Sequence, residues 1–304
     1  PPRSTLFPYT TLFRSELWTA VPQIAPDLTE YRRLHWLVDV SDTEFYALDI
    51  FRVHGGHTHD YLWTGQWLDR PDPDSGFAVQ GVEPRPVRGV WSLAGFNRRY
   101  RDAGYNQRGA SWGERLESGK SGSIASRGIP DEPINVDRNW NPPPGNGYGF
   151  IYDVRARETA DDWSATWDLI DGANTMRLTF LNPDGQQAIV AKSPADVQGR
   201  HHSMAIARRR GQAPLRSRFV GLVEVAAPGR WPVREARHLE LPAEHGTGVR
   251  LSLANGAVDT LLAAASPRTE LRLDGLLLRG ARAFVRQTAA GEVAHMLLQD
   301  RKSV

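Results

Sequence analysis

The chain has 304 residues, 40% of them apolar, with ten tryptophans and a formal net charge of +2. It is long enough for one large domain or two ordinary ones and apolar enough to bury a core, which excludes a disordered chain; the small charge excess falls short of a nucleic-acid footprint but suits an anionic polymer as partner. The lack of cysteine excludes disulfide frameworks, zinc–thiolate sites and cysteine nucleophiles, and no apolar run reaches the ~18–20 residues that span a bilayer.

Residues 1–15 have no initiating Met and no coherent apolar period. They resemble translated sequencing-adapter read-through and are set aside as a disordered tail, as are residues 300–304. The natural chain is expected to continue before Glu16 and beyond Gln299. Short runs of β-formers separated by turn residues then dominate, with almost no helical period. The segments 31–40 and 45–53 predict a strand pair. In the second, Tyr46, Leu48, Ile50 and Arg52 share one face, and Phe45, Ala47, Asp49, Phe51 and Val53 the other. A strand over 60–68 follows a His-Gly-Gly turn. Segment 97–147 breaks the rhythm: it is rich in Gly, Ser, Asn, Arg and Pro, with scattered aromatics, and reads as a long irregular insertion.

Beyond it, strands are predicted at 149–157, 165–169, 176–181, 187–191, 204–208, 219–225, 249–253, 258–263, 270–273, 281–286 and 293–298. Asn182-Pro-Asp-Gly185 predicts a hairpin between 176–181 and 187–191, because Pro fixes φ and Gly accepts a positive one. Asn255-Gly256 predicts a second hairpin. The run Arg208-Arg209-Arg210 reads as a solvated strand edge. The fold class is all-β: a large antiparallel β-sandwich of two stacked sheets over residues 16–299, with the insertion at 97–147.

Chemistry-bearing residues concentrate in a few places. His54, His57, His59 and Asp60 lie within seven residues. His57 and His59 on a strand would share a face, so the group reads as zinc ligands, as polysaccharide contacts, or as a plain turn with structural hydrogen bonds. Gly55-Gly56 lacks the pattern of a phosphate loop and is structural. Asp49 interrupts an apolar face and needs a partner, for which Arg32 or Arg33 on the preceding strand is placed. In the insertion, Tyr100, Tyr105 and Trp112 offer faces to sugar rings, while Arg98 and Arg99 can hold uronate or sulfate; the same loop can equally serve to cover a sheet. Arginine is the prevailing cation, the only lysines being Lys120, Lys192 and Lys302. A GC-rich gene would produce the same bias.

Tyr31-Arg32-Arg33, Asp49-Ile50-Phe51-Arg52-Val53, Gly55-Gly56 and His59-Asp60-Tyr61, followed by Ala205–Arg210 and the Ser217-Arg218-Phe219-Val220 strand, form an ordered set. That set resembles the β-sandwich portion of heparinase II/III-like polysaccharide lyases. The resemblance implies a helical toroid preceding the sandwich, with cleavage of uronic-acid-containing polysaccharides by β-elimination in the cleft between them. It implies an anionic polysaccharide and that toroid as partners, with neither nucleic acid nor membrane, and a secreted or periplasmic parent. The catalytic residues would lie mostly in the toroid. A divalent metal is implied for a full-length parent, held by an H-x-H-x-D element that this sequence does not show, so no cofactor is expected within residues 16–299. The other reading is a non-catalytic carbohydrate-binding or structural module.

Overall fold

A computed structural model describes residues 12–18 (main chain only), 27–65, 76–88, 92–93, 148, 151–170, 172–194, 201–242, 244–266, 268–273 and 276–299. The strands are, in order, β1 (Leu12–Trp18), β2 (Glu30–Asp39), β3 (Phe45–His54), β4 (Thr58–Thr64), β5 (Phe77–Gln80) and β6 (Arg85–Pro86). Next come β7 (Tyr152–Thr159), β8 (Trp163–Asp168), β9 (Thr175–Leu181), β10 (Gln186–Pro194), β11 (His201–Arg210) and β12 (Arg216–Ala226). The remainder are β13 (Val233–Leu239), β14 (Gly246–Leu253), β15 (Val258–Ala264), β16 (Glu270–Leu273), β17 (Leu276–Arg279), β18 (Arg282–Gln287) and β19 (Val293–Gln299). No α-helix occurs among the described residues. β1 takes in Leu12 to Ser15, which the sequence reading set aside from the fold, and runs antiparallel to β2.

Every pairing is antiparallel, as expected of an all-β sandwich. Sheet A has seven strands in the order β1-β2-β3-β12-β9-β8-β5, sheet B five in the order β4-β11-β10-β7-β6, and sheet C five in the order β13-β14-β15-β18-β19. Two stacked sheets were expected; a third completes the structure, because the middle strands of sheet A are apolar on both faces. On one face Leu34, Trp36, Tyr46, Leu48, Ile50 and Leu222 pack against Val249, Leu251, Leu261 and Phe284 of sheet C. On the other, Phe51, Trp163, Trp167, Phe180 and Phe219 pack against Tyr61, Ala188, Ala205 and Ala207 of sheet B. Large rings on one side meet small residues on the other, so the layers interdigitate. The alternation read along β3 therefore separates two cores rather than core from solvent.

The outer face of sheet B carries a further cluster, Ile189, Ala191, Met204 and Ile206, against Leu93, Ile151 and Tyr148. These three residues flank the insertion, so the described positions on either side of it cover that sheet. The β16–β17 hairpin similarly covers sheet C through Leu271 and Leu278. Asn255-Gly256 closes β14 onto β15 as expected. The Asn182–Gly185 turn does not close a hairpin: β9 pairs within sheet A and β10 within sheet B, so the turn passes the chain between layers. Turn chemistry fixes the reversal, whereas the sheet each arm joins is decided by partners far along the chain.

Charge buried between layers is matched where it stands. Asp259, fully buried, accepts two hydrogen bonds from Arg286, both at 2.7 Å, and one from the Tyr46 hydroxyl at 2.7 Å. This triad ties sheet C to sheet A. Burial and then the Asp259 carboxylate push the Tyr46 pKa well above its usual value, keeping the phenol a donor. Replacing Asp259 with Ala strands a buried guanidinium and should lower unfolding free energy by about 3–5 kcal/mol. Tyr46→Phe, which leaves the ion pair intact, should cost about 1–2 kcal/mol. Urea unfolding of the two variants checks the ranking; equal losses would contradict it.

Candidate functional site

Four passages between sheets A and B gather at one end of the sandwich: residues 54–58, 159–163, 181–186 and 210–216. They are bonded in pairs, the first with the fourth and the second with the third. Gly55 N–H donates to the Leu215 carbonyl at 2.9 Å, Leu215 N–H to Gly56 at 2.8 Å and Gly211 N–H to His57 at 3.0 Å. The Asn182 amide donates to the Thr159 carbonyl at 2.8 Å. Gly55 and Gly56 have φ of +134° and +57°, and a Cβ on Gly55 would overlap the Asp27 carbonyl. The glycine pair is thus required by a close backbone approach.

The histidines predicted as a site are distributed around this end. His59 is buried, with Nε2 2.6 Å from the Gly55 carbonyl oxygen and Nδ1 2.7 Å from Ser217 Oγ. A carbonyl only accepts, so Nε2 carries the hydrogen, and in the neutral ring Nδ1 accepts from the serine. Burial lowers the His59 pKa, in keeping with that neutral form. His57 is exposed and its Nδ1 contacts Thr58 Oγ1 at 3.0 Å. His54 Nδ1 faces Thr29 Oγ1 at 2.9 Å and the Arg216 guanidinium at 3.2 Å. With both His59 nitrogens and both Asp60 oxygens engaged, this set does not fit a metal ion. Among the described residues no group of three or more His, Asp or Glu side chains is arranged to hold one.

Asp60 joins a polar row instead. The strand registers put Asp60 beside Arg208, Arg208 beside Gln187, and Gln187 beside Glu158. Four neighbouring strands make this row about 14 Å long. It continues, on the same outer face of sheet B, the apolar band of Leu62, Ile206, Ile189 and Ala156. Arg208 donates to Asp60 at 2.6 and 2.7 Å, the Tyr148 hydroxyl donates to Asp60 at 2.6 Å, and Gln187 donates to Glu158 at 2.7 Å. Burial first, then Asp60, raises the Tyr148 pKa, so this phenol too remains a donor. Arg208 is therefore not the solvated edge residue expected. β11 lies between β4 and β10, and Asp60 on β4 provides the countercharge.

An open cleft of about 530 Å³ lies at the end of this row, lined by Glu158, Asp184, Gln186, Gln187 and Arg208 to Arg210. Arg209 donates to Asp184 at 3.2 Å, and Arg218 reaches the other oxygen of Asp184 at 3.0 Å. Arg210 is exposed and forms no ion pair among the described residues. Gln186 is 8% exposed and its Nε2 has no hydrogen-bond partner. The cleft thus offers the exposed Arg210 guanidinium beside Glu158 and Gln187, while the Gln186 amide lies buried beneath it.

The remaining predicted residues stand apart from the cleft. Asp49 is buried and accepts from Arg33 Nε at 2.9 and 3.1 Å and from the Tyr61 hydroxyl at 2.7 Å, tying β2 and β3 to sheet B. Gly221, opposite Asp49 on β12, leaves the space that the Tyr61 hydroxyl occupies. Arg32 points to the other side and donates to the Ala265 carbonyl at 3.2 Å. Arg98, Arg99, Tyr100, Tyr105 and Trp112 lie outside the described residues. Sequence reasoning missed Asp184, Gln186 and Glu158. The only local signal for them was the Asn-Pro-Asp-Gly turn, which is legible through its Pro and Gly and says nothing of its Asp. No family model matches the chain, and no curated protein matches it either.

His238, near Arg218 and Asp184, has an unpartnered, buried Nε2. Burial and then the Arg218 charge lower its pKa from 6.5 to about 4. In the fold it stays neutral down to about pH 4, whereas the unfolded chain takes up a proton below about 6.5. Its stabilising contribution is therefore complete above that upper value and is lost progressively as pH falls from it toward the lower one. Urea midpoints measured across this window should fall for the parent protein and fall less for His238→Gln; parallel curves would contradict the assignment.

Proposed function

We propose that this sandwich is the part of a uronate-polysaccharide lyase that holds the anionic chain, with the residues that carry out β-elimination lying outside the described ones. The cleft at Arg208–Arg210 carries the proposal: it sets the exposed Arg210 guanidinium beside Glu158 and Gln187, a cation for a carboxylate and polar groups for sugar hydroxyls. Elimination needs a base for the C5 proton, a neutraliser for the carboxylate and an acid for the leaving oxygen. Two groups near the cleft have other work: His59 is bonded at both nitrogens and Asp60 is saturated by Arg208 and Tyr148. Support for a covering helical partner comes from the far side of β2. There Tyr31, Leu37 and Phe45 are exposed beside Arg33 and His35, on the sheet A face that sheet B covers elsewhere.

Affinity electrophoresis through glucuronate- or galacturonate-containing polymers provides the test, together with the ultraviolet absorbance of unsaturated uronate ends. This chain should be retarded by the polymers without releasing unsaturated product. Arg210→Ala should weaken retardation about three- to tenfold, the size of one charge-assisted contact of about 1 kcal/mol, with an unchanged thermal midpoint. Product release by this chain alone would overturn the division of labour, and no retardation would overturn the binding reading.

A further inference from the structure

One group of buried charges departs from the one-to-one matching of Arg286 with Asp259. Arg52 of β3 and Arg218 of β12 are direct partners across the ladder and are 6% and 4% exposed. Both lie on the face of sheet A that sheet C covers, two residues along their strands from Ile50 and Val220 of that core. Arg218 Nη1 donates to the Gly246 carbonyl at 2.7 Å and to the Leu241 carbonyl at 3.0 Å, which seats its guanidinium against the start of β14. Thr247 of β14 and His238 of β13 face sheet A from the other side, because their ladder partners Ala263 and Val249 belong to the same core. Arg52 Nη1, Arg218 Nε, Thr247 Oγ1 and His238 Nε2 are all buried and without a hydrogen-bond partner. Among the described residues four guanidiniums here, those of Arg52, Arg209, Arg216 and Arg218, share two carboxylates, Glu30 and Asp184. Burial above all lowers the Arg218 pKa; Asp184 opposes the shift, and the Arg52 and Arg209 charges add to it.

We propose that these four atoms hold one small monovalent inorganic anion, of the size of chloride, between sheets A and C. A buried donor is costly unless a water or an ion meets it. A water would fill the same hydrogen bonds but leave the excess of positive charge standing, whereas an anion answers both. Like charges side by side repel, and a negative charge between them reverses that repulsion most effectively where water is excluded. Each of the four atoms is closed off from solvent, and stacked sheets lie about 10 Å apart, so the seat suits a single-atom ion rather than sulfate or a sugar acid. The ion joins β3, β12, β13 and β14 and steadies Arg218, which holds one oxygen of Asp184 while Arg209 of the cleft holds the other. The seat does not depend on the polymer reading, because Arg210 has no part in it.

Thermal unfolding of the full chain is the test, with sodium gluconate replaced stepwise by sodium chloride at constant ionic strength. The midpoint should rise by about 2–4 °C and then level off, as it does when an ion binds the folded state alone. Thr247→Val, which keeps the side-chain shape and removes the hydroxyl, should keep its midpoint in gluconate yet need about tenfold more chloride for the same rise. Arg52→Gln should abolish the rise, and Arg210→Ala should leave it in full. Crystals grown in bromide should show an anomalous peak between Arg52, Arg218 and Thr247. The proposal is overturned by a midpoint indifferent to chloride, by a rise that never levels off, by a rise unchanged in both Thr247→Val and Arg52→Gln, or by a water alone at that position.

Discussion

A sheet buried on both faces cannot leave a charge to water, and sheet A carries or contacts several. Taking a carboxylate from water costs more than its attraction to a single cation returns unless the geometry is good and the remaining lone pairs are filled. The same answer recurs: a guanidinium and a tyrosine hydroxyl on one aspartate. Asp49 with Arg33 and Tyr61 joins sheet A to sheet B, and Asp259 with Arg286 and Tyr46 joins sheet A to sheet C. Glu224, where β12 meets β9, is held by Arg177 and by the Val233 main chain, while Arg177 stacks on Trp231 at 4.3 Å. Because each group is satisfied by partners from different strands, the triads also fix register between layers that apolar packing alone would leave free to slide.

The third aspartate–arginine–tyrosine set extends this device to the surface. Asp60, Arg208 and Tyr148 fasten residue 148 to sheet B, beside the polar row that leads to the cleft. The site and the scaffold are therefore built from one chemistry. What distinguishes the cleft is that its outermost group, the exposed Arg210, forms no ion pair among the described residues. Its position follows from topology, since four of the passages between sheets A and B turn at this end and are bonded in pairs.

Much of the strand pattern was legible locally. The two faces of β3, the Asn255-Gly256 hairpin and the need of Asp49 for a neighbouring arginine follow from period, turn chemistry and desolvation. What was not legible depends on distance along the chain. Nothing near Asp60 announces Arg208, 148 positions away, and nothing in Asn182–Gly185 tells a hairpin from a passage between sheets. The third sheet was hidden for a related reason: a strand apolar on both sides reads as one core, and only its partners reveal two. Arg33, Asp49, Gly55 and His59, which carry the resemblance to the lyase sandwich, all turn out to hold buried structure, so those motifs report scaffold constraints at least as much as chemistry.

Sheets A and B interleave along the chain, whereas sheet C is a run of neighbouring hairpins confined to residues 233–299. During synthesis the first two layers are complete once Ala226 has emerged, and the face bearing Leu34, Trp36 and Leu48 is then bare until the following strands arrive. For that interval the nascent protein presents a broad greasy surface to its surroundings, the state in which a chain is most prone to stick to its neighbours or to be held by a chaperone. The third layer is thus a late-arriving lid, and the rapid local pairing of its hairpins keeps that interval short.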